Sequence, residues 1–329
     1  MNRPVRIVFF GTPQFAVPSL QGLLTAGHTV VGVVTQPDKP RGRGHHVTES
    51  PVKQLARERG LLVLQPERLK DESALAALTD LAPDLGVVAA YGKILPAAVL
   101  AVPRHGLINV HASLLPRYRG AAPVHRAVMA GDRETGISIM QVVQALDAGA
   151  VYKIAKRPIG PDETSAEVET DLARIGAALV VEVIEDLVAG RTIPEPQDDH
   201  ASTYAPRLQK DESEIDWNAS AAVLHNRVRG LQPWPLASTW LGGRRLIILK
   251  TQTGTGPGGE HAEPGTIVGV SRDAMQVQTG DGVIEVLIVQ PEGKRPMSVR
   301  DFAAGHRLTA GARFDRRPPV IPVSEPTTR

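Results

Sequence analysis

Two polar side chains, Asn109 and His111, interrupt an otherwise apolar run that begins at Leu107 and includes Val110. Such a run is typical of a buried β-strand, and side chains two residues apart in a strand point to the same face. We therefore expect the amide and the imidazole to lie side by side at the strand end. An amide donates hydrogen bonds and an imidazole exchanges protons near neutral pH, so this pair could stabilise charge and move a proton. The alternative is that both are buried structural groups with satisfied hydrogen bonds.

The residues after this strand form a rigid, basic turn. Ser113, Leu114 and Leu115 lead to Pro116, which prevents further strand pairing, and residues 117–120 read Arg-Tyr-Arg-Gly. Ser113 could be a nucleophile if His and Asp side chains elsewhere completed a triad. The sequence lacks the G-x-S-x-G elbow that presents such a serine, so a segment that shapes a pocket is the better interpretation.

The elements that must position these residues alternate between strands and helices. Apolar runs predict strands, and apolar residues at helical spacing predict the helices between them. Alternation of this kind indicates an α/β, doubly wound, Rossmann-like parallel sheet, whose ligands bind at the carboxyl ends of the strands. The first turn reads Gly11-Thr12-Pro13 and lacks the G-x-G-x-x-G fingerprint, which argues against a nicotinamide dinucleotide. The predicted strands are Val5–Phe10, Thr29–Thr35, Leu85–Tyr91 and Gly136–Val143, and the predicted helices are residues 52–59, 73–81 and 165–187.

A change of pattern divides the chain. We predict a catalytic sheet domain over residues 1–190, a proline-rich extended linker over 191–209, and a small C-terminal β-barrel, OB-like, over 210–318. Residues 319–329 have the composition of a disordered tail. The barrel prediction rests on five short strands separated by glycine turns, at residues 237–241, 245–250, 265–270, 274–279 and 283–290.

Composition narrows the possible chemistry. The 329 residues carry a formal net charge of +2, and 42% are hydrophobic, which is typical of a globular protein. There are no cysteines, which excludes disulfides, thiolate catalysis and Cys-ligated zinc. No apolar run is long enough for a signal-peptide core or a membrane span, so we expect a cytoplasmic protein.

Two segments carry concentrated positive charge. Residues 36–46 form a loop rich in Gly and Pro that contains Arg41 and Arg43 and ends in two histidines. Residues 294–317 hold seven Lys or Arg and two Asp. Both segments could contact a phosphate backbone. A solvated surface loop explains the first run equally well, and a charge-rich helix facing water is the commoner meaning of the second. The two histidines lack a nearby carboxylate, and we predict no metal site.

The stretch Asn109-Val110-His111-Ala112-Ser113-Leu114-Leu115-Pro116 resembles the signature of folate-dependent formyltransferases. In that family an Asp follows on a later loop, which here corresponds to Asp147 in Leu146-Asp147-Ala148-Gly149. Residues 119–123 and 135–140 also match the family, and residues 210–318 resemble the C-terminal barrel of members that act on tRNA. Two departures are visible. Ala150 replaces a second acid that is common after this glycine, and His105 and His125 have no counterpart in the motif and are interpreted as structural or exposed.

The resemblance implies formyl transfer from 10-formyltetrahydrofolate to the α-amino group of methionine on initiator tRNA, by direct attack through a tetrahedral intermediate. It implies that Asn109 donates to the developing oxyanion and that His111 donates a second hydrogen bond or exchanges a proton. Asp147 either holds His111 protonated or accepts the amine proton through water, and these two roles stay open. The folate contact is implied for Ser113, Leu114, Leu115 and Pro116.

The resemblance also implies that Arg41 and Arg43 contact the tRNA acceptor stem, with Arg43 favoured because it matches a Gly-Arg-Gly of the family. A monomer is expected. Within the family, a formyltransferase for a small amine, such as a glycinamide or amino-sugar nucleotide, or a formyl-folate hydrolase, is the alternative. Outside it, the alternatives are a nicotinamide-dependent oxidoreductase and a tRNA-binding protein without catalytic activity.

Overall fold

The computed structural model describes residues 4–41, 46–254, 262–306 and 308–315. Two compact units form, and the first contains most of the chain before residue 208. Among the described helices, none combines the length and apolar character that crossing a membrane requires. The first unit comprises Met1–Ala127, Asp132–Gly160 and Ala166–Arg207, and the second comprises Val128–Gly131, Pro161–Ser165 and Leu208–Arg329.

The first unit is built on a seven-stranded sheet with the order β10-β9-β7-β6-β1-β2-β5. The five strands from β5 to β7 are parallel, whereas β9 and β10 are antiparallel additions at one edge. The predicted Rossmann-like sheet is confirmed. The elements are β1 Arg6–Gly11, α1 Val17–Thr25, β2 Thr29–Val34, β3 Lys39–Arg41, β4 His46–Thr48, α2 Pro51–Glu58, β5 Val63–Leu64, α3 Glu72–Asp80, β6 Leu85–Ala89, α4 Ala97–Leu100, β7 Leu107–His111, β8 Arg119–Gly120, α5 Pro123–Ala130, β9 Glu134–Gln141, β10 Val151–Pro158, α6 Ser165–Val188 and β11 Tyr204–Ala205.

The central strands are buried on both faces, as their continuous apolar runs require. Every residue of β6 is buried, and in β1 only the first residue is exposed. The sequence analysis did not predict β5 or β10. β5 has only two residues, and β10 mixes exposed and partly buried residues at the sheet edge, three of them charged, so neither forms an apolar run.

Two pairs of short strands lie outside the main sheet. β3 and β4 form an antiparallel hairpin, and β8 pairs in parallel with β11. The second pairing ties residues 204–205 to the segment that follows β7. The stretch predicted as a linker therefore contributes to the first unit, where Glu195 also pairs with Val151. The domain boundaries drawn from the sequence stay predictions, and the tail over 319–329 lies outside the described residues.

The second unit is an antiparallel sheet with the order β12-β13-β16-β15-β14, and β17 pairs with β16. Residues 313 and 315 bridge Thr266, beside one edge strand, and Trp240 in the other, so the two edges are joined as in a small barrel. Trp217 stacks on Phe314 with ring centroids 4.9 Å apart. The five predicted short strands are found, and they form an antiparallel sheet. The elements are α7 Ala221–Gly230, β12 Ala237–Leu241, β13 Arg244–Thr253, β14 Ile267–Val270, β15 Met275–Gln278, β16 Val283–Pro291, β17 Met297–Ser298 and α8 Val299–His306.

Candidate active site

Asn109 and His111 lie at the carboxyl end of β7, between β6 and β9. Asn109 is paired with Val88 on one side and Met140 on the other, so its backbone is held by both neighbouring strands. The two side chains line one cavity of ≈ 580 Å³ in the first unit. The Asn109 carboxamide makes no hydrogen bond to the other described residues, so its donors are available to a ligand. Both side chains line the same cavity because residues two apart in a strand point to the same face.

The hydrogen bonds of His111 orient its ring. Nε2 lies 3.0 Å from the carbonyl oxygen of Tyr118. Because a carbonyl oxygen only accepts, Nε2 carries a proton and donates it to Tyr118. Nδ1 therefore faces the Asp147 carboxylate, with 3.7 Å between Nδ1 and Oδ2. The side chains of His111 and Asp147 are 6% and 14% exposed, so the pair lies in a largely dry environment that strengthens electrostatic interactions.

Asp147 reaches this position through a loop with an unusual backbone conformation. Its φ is +48°, in the left-handed region that an Asp side chain tolerates better than most. Its Oδ2 accepts a hydrogen bond of 2.8 Å from the backbone N–H of Gly120. Gly149 makes the loop return possible, because a Cβ there would lie 1.9 Å from the Gln141 carbonyl oxygen. The loop therefore aims one carboxylate oxygen at both the Gly120 amide and the imidazole.

Gln197 supports the Asp147 loop and was missed in the sequence analysis. Its Nε2 donates to the carbonyl oxygens of Asp147 and Gly149, at 2.8 and 2.7 Å. Its Oε1 accepts from the guanidinium of Arg119, which also contacts the Asp199 carboxylate at 2.7 Å. Gln197 lies in the proline-rich stretch interpreted as a linker, where no local pattern indicates a role. The pairing of β8 with β11 and the bridge between Glu195 and Val151 bring that stretch to the site.

Internal hydrogen bonds hold the predicted folate-contact segment, residues 113–116. Ser113 is fully buried, its Oγ donates to the Arg117 carbonyl oxygen at 2.6 Å, and its own carbonyl accepts from Ser138 Oγ at 2.7 Å. The same Ser138 oxygen accepts from the Leu115 N–H at 3.1 Å. The four residues Ser113, Leu114, Leu115 and Pro116 are not among the described residues that line the cavity. Their bonds instead fix the turn that brings the Tyr118 carbonyl to His111.

The cavity has two apolar walls that expose large side chains. Residues 90–95 form one wall, with Ile94 82% exposed, and residues 142–147 form the other, with Leu146 53% exposed. Exposed apolar residues that line a cleft mark a ligand site. Neither wall was singled out in the sequence analysis. Residues 90–95 follow the carboxyl end of the parallel strand β6, where the sheet topology predicts a ligand, whereas residues 142–147 follow β9, which runs antiparallel to β7.

A third side of the cavity carries titratable groups. Residues 120–125 and Glu169 line it, and Tyr204 lies at its edge. Burial raises the pKa of the Glu169 carboxyl, and the nearby His125 partly opposes this effect. The carboxyl is therefore protonated over a wider pH range than an exposed Glu. His125 was interpreted from the sequence as structural or exposed, whereas it lines the cavity.

Of the two predicted RNA-contact residues, the structure describes one. Arg41 is the last residue of β3, and Arg43 lies outside the described residues. Before β3, Asp38 contacts the Nζ of Lys53, and this hydrogen bond lowers the pKa of the Asp38 carboxyl. In the described part of the chain, no group of three or more His, Asp or Glu side chains could hold a metal ion.

Comparison with known families accounts for both units. A family described as "Formyl transferase" matches residues 5–184, and "Formyl transferase, C-terminal domain" matches residues 207–307. A protein of Methylococcus capsulatus named methionyl-tRNA formyltransferase is 48% identical over 310 residues, which cover 94% of this chain and 99% of that protein. A protein of the same name from Symbiobacterium thermophilum is 46% identical and covers 98% of each chain.

Solved structures share the fold at lower identity. The sugar 3N-formyl transferase WlaRD, solved in the presence of dTDP and 5-N-formyl-THF, has a TM-score of 0.65 at 17% identity and covers 89% of this chain and 100% of its own. HypX from Aquifex aeolicus, in complex with tetrahydrofolic acid, has a TM-score of 0.62 at 17% identity, covering 92% of this chain. This chain spans about half of HypX, 47%. The matches over both units, at up to 48% identity, show that the chain belongs to the formyl transferase family.

Proposed function

We propose that the protein transfers a formyl group from 10-formyltetrahydrofolate to the α-amino group of methionine carried by initiator tRNA. The observation that carries the proposal is the meeting of Asn109, His111 and Asp147 at one cavity, with Nδ1 and Oδ2 3.7 Å apart. Relatives that carry the name methionyl-tRNA formyltransferase cover nearly the whole chain, which supports the choice of acceptor. The HypX structure with tetrahydrofolic acid supports a folate as donor for this fold.

The cavity suits a folate in shape and chemistry. A pterin ring is flat and aromatic, and the walls at residues 90–95 and 142–147 present apolar side chains on two sides. The cavity volume of ≈ 580 Å³ lies within the range of small-molecule sites. We assign a folate contact to these walls, and chiefly to Ile94 and Leu146, and the contact implied for residues 113–116 stays a prediction. The bound folate supplies an activated formyl group, so the protein needs to orient it and to manage charge and protons.

The three polar residues divide that work. When the amine attacks, negative charge develops on the formyl oxygen, and the free carboxamide of Asn109 donates to it. The amine must lose one proton, and the folate nitrogen that departs must gain one. Asp147 is the base that receives the amine proton, directly or through water, and a protonated Nδ1 of His111 would stabilise its carboxylate. The proton then passes from Asp147, through Nδ1 of His111 or a water molecule, to the folate nitrogen as the bond between that nitrogen and the formyl carbon breaks. The donation from Nε2 to Tyr118 holds the ring in place during this exchange.

The acceptor is a polyanion, and the chain offers positive charge for it. Arg41 and Arg43 are proposed to contact the acceptor stem, because guanidinium groups bind phosphates with two parallel hydrogen bonds or stack on a base. The second unit adds the basic segment that starts at residue 294, which holds seven Lys or Arg. We further propose that the protein acts as a monomer in the cytoplasm, where aminoacylated tRNA is available.

The direct test supplies the purified protein with 10-formyltetrahydrofolate and initiator tRNA charged with methionine. We expect formylmethionine on the tRNA, measured by mass spectrometry after mild hydrolysis of the ester. Elongator tRNA charged with methionine should react much more slowly, because discrimination resides in the acceptor stem. Uncharged initiator tRNA is the control for hydrolysis of the folate by water.

Three results would refute the proposal. Turnover on an amino-sugar nucleotide or on glycinamide ribonucleotide, with none on charged tRNA, would identify a small-amine formyltransferase. Equal release of formate with and without an acceptor would identify a hydrolase. Binding of initiator tRNA without any consumption of 10-formyltetrahydrofolate would leave only an RNA-binding role.

A further inference from the structure

Both ends of the hairpin β3–β4 are fastened by one lysine. Asp38 precedes β3 and Glu49 follows β4, and the Nζ of Lys53 contacts both carboxylates, with 3.5 Å to Glu49 Oε1. The guanidinium of Arg57 also contacts Glu49, at 2.6 Å. Lys53 is held in turn by helix α2, whose N-terminus is capped by Ser50. The side chains of Lys53, Asp38 and Glu49 form a charged cluster and are 15–30% exposed. A displacement of either end of the hairpin therefore changes the contacts of this cluster.

A second side chain fixes the residues just before the hairpin. Gln65 lies after β5, and its Nε2 donates to Asp38 Oδ1 at 3.0 Å and to the Gln36 carbonyl oxygen at 2.9 Å. Between these two acceptors stands Pro37, whose ring restricts φ. Gln36 and Asp38 are therefore parts of one short, stiff segment that connects β2 to the hairpin.

The side chain of Gln36 connects this segment to the cavity. Its Nε2 donates to the carbonyl oxygen of Tyr91 at 2.8 Å, and its backbone N–H donates to Thr12 Oγ1 at 3.3 Å. Thr12 Oγ1 itself donates to the same Tyr91 carbonyl at 3.3 Å. Tyr91 and Gly92 belong to the wall over residues 90–95. One side-chain amide thus joins the root of the hairpin to the apolar wall of the site.

The wall at this point has little freedom to move independently of Gln36. Ala90 and Gly92 both have positive φ, +45° and +80°. A Cβ on Gly92 would lie 2.6 Å from Gln36 Nε2, so the amide packs directly on the backbone there. A shift of Gln36 must therefore shift the Tyr91–Gly92 peptide or break the bond to it.

We infer that Gln36 is a positioning residue that couples acceptor RNA bound at the hairpin to the folate wall of the cavity, so that each substrate tightens the binding of the other. The inference rests on the proposed function, because that function supplies both ligands. It concerns a residue that touches neither reacting atom and acts through the Tyr91 carbonyl. Thermodynamic linkage requires that RNA tighten folate binding by the same factor by which folate tightens RNA binding.

The test measures one ratio, which is the dissociation constant of tetrahydrofolate without RNA divided by the constant with saturating RNA. The dissociation constant of tetrahydrofolate is determined by calorimetry without RNA and with saturating uncharged initiator tRNA, for the natural protein and for Gln36→Met. Methionine keeps the length of the side chain but lacks the donor. We expect RNA to tighten folate binding by about fivefold or more in the natural protein, a typical coupling, and by less than about twofold in the variant.

The control and a second variant complete the design. Gln21→Met changes a partly buried glutamine on α1, which bonds Thr25 and Arg59 and lies off this path, and should keep the full ratio. Gln36→Glu keeps the size of the side chain and replaces the donor by an acceptor, so its ratio should also fall. A merely structural role of Gln36 would weaken both folate constants equally and leave the ratio unchanged.

Each contrary result overturns the inference. A ratio of one in the natural protein means that no coupling exists, and an unchanged ratio in Gln36→Met or Gln36→Glu means that Gln36 does not transmit it. Loss of the folded state in these variants would make Gln36 a structural residue. If the natural protein formylates charged initiator tRNA while any of these results holds, only the inference fails. If it binds neither ligand, the proposed function fails with it.

Discussion

Replacing Asp147 by Asn tests the division of work at the site most sharply. The variant keeps the size of the side chain and an oxygen that can accept from the Gly120 N–H. In the natural protein this N–H lies 2.8 Å from Asp147 Oδ2. The variant removes the negative charge that lies 3.7 Å from His111 Nδ1 and the ability to receive a proton. The change therefore separates proton transfer from the support of the loop.

The expected magnitudes follow from these contacts. A positioned acid or base contributes about 10²–10⁴ in rate, so kcat should fall by that factor. A hydrogen bond to a charged acceptor contributes about 1.5–3 kcal/mol and a neutral one about 0.5–1.5 kcal/mol, so the free energy of unfolding should fall by only about 1 kcal/mol. The dissociation constant of the folate should stay within about threefold, because Ile94 and Leu146 provide the apolar contact.

The assay is single-turnover formylation of charged initiator tRNA with excess enzyme, combined with urea unfolding. Asp199→Asn is the matched control, because Asp199 contacts Arg119 and is 79% exposed, and exposed pairs contribute about 0–1 kcal/mol. The reasoning is refuted if Asp147→Asn keeps kcat within a few-fold of the natural enzyme. It is equally refuted if the whole loss lies in folate binding, since Asp147 would then be a binding residue.

Four further predictions concern other parts of the site and its surroundings. Asn109→Ala removes the proposed oxyanion donor, and kcat should fall by about 10²–10³ with unchanged unfolding by urea; a loss below tenfold would contradict that role. Gln197→Leu deletes the donor to two loop carbonyls and should lower the free energy of unfolding by about 1–3 kcal/mol, together with kcat; unchanged activity would show that the loop holds without it. Because burial raises the pKa of Glu169, its folded form retains a proton above pH 4.5, the ordinary pKa of this side chain, and stability falls as pH rises through that window. Glu169→Gln should therefore gain stability relative to the natural protein between pH 4.5 and neutrality, and parallel unfolding curves at all pH values would refute this. Arg43→Ala should raise KM for charged tRNA and spare folate affinity, whereas equal losses in both would count against an RNA contact.

Several features of the site could be predicted from the sequence because they depend on short-range geometry. The strand period of two places Asn109 and His111 on one face, and alternation of apolar runs with helical patterns predicts the parallel sheet. The sheet in turn predicts a ligand at the carboxyl ends of its strands. Asp147 entered only through the family resemblance, because nothing local relates it to His111.

Other features depend on long-range packing. The folate contact of the turn Ser113–Pro116 stays a prediction, but the bonds of its Ser113 carbonyl and Leu115 N–H to Ser138 had no local signal. Gln197 was hidden in a stretch rich in proline, because its role depends on the pairing of β11 with β8 and of Glu195 with Val151. In both cases the deciding contacts join residues more than 20 positions apart, and residue type alone does not predict such partners.

By itself, then, the amino-acid sequence determined the fold class, the strand that carries the amide and the imidazole, and the absence of cysteine chemistry. The tertiary structure decided which walls face the cavity, how far the carboxylate stands from the ring, and which carbonyl orients that ring. The physical reason is that periodicity reports which face of an element is buried, whereas a site is made where several elements end together, and their meeting depends on the whole packed sheet.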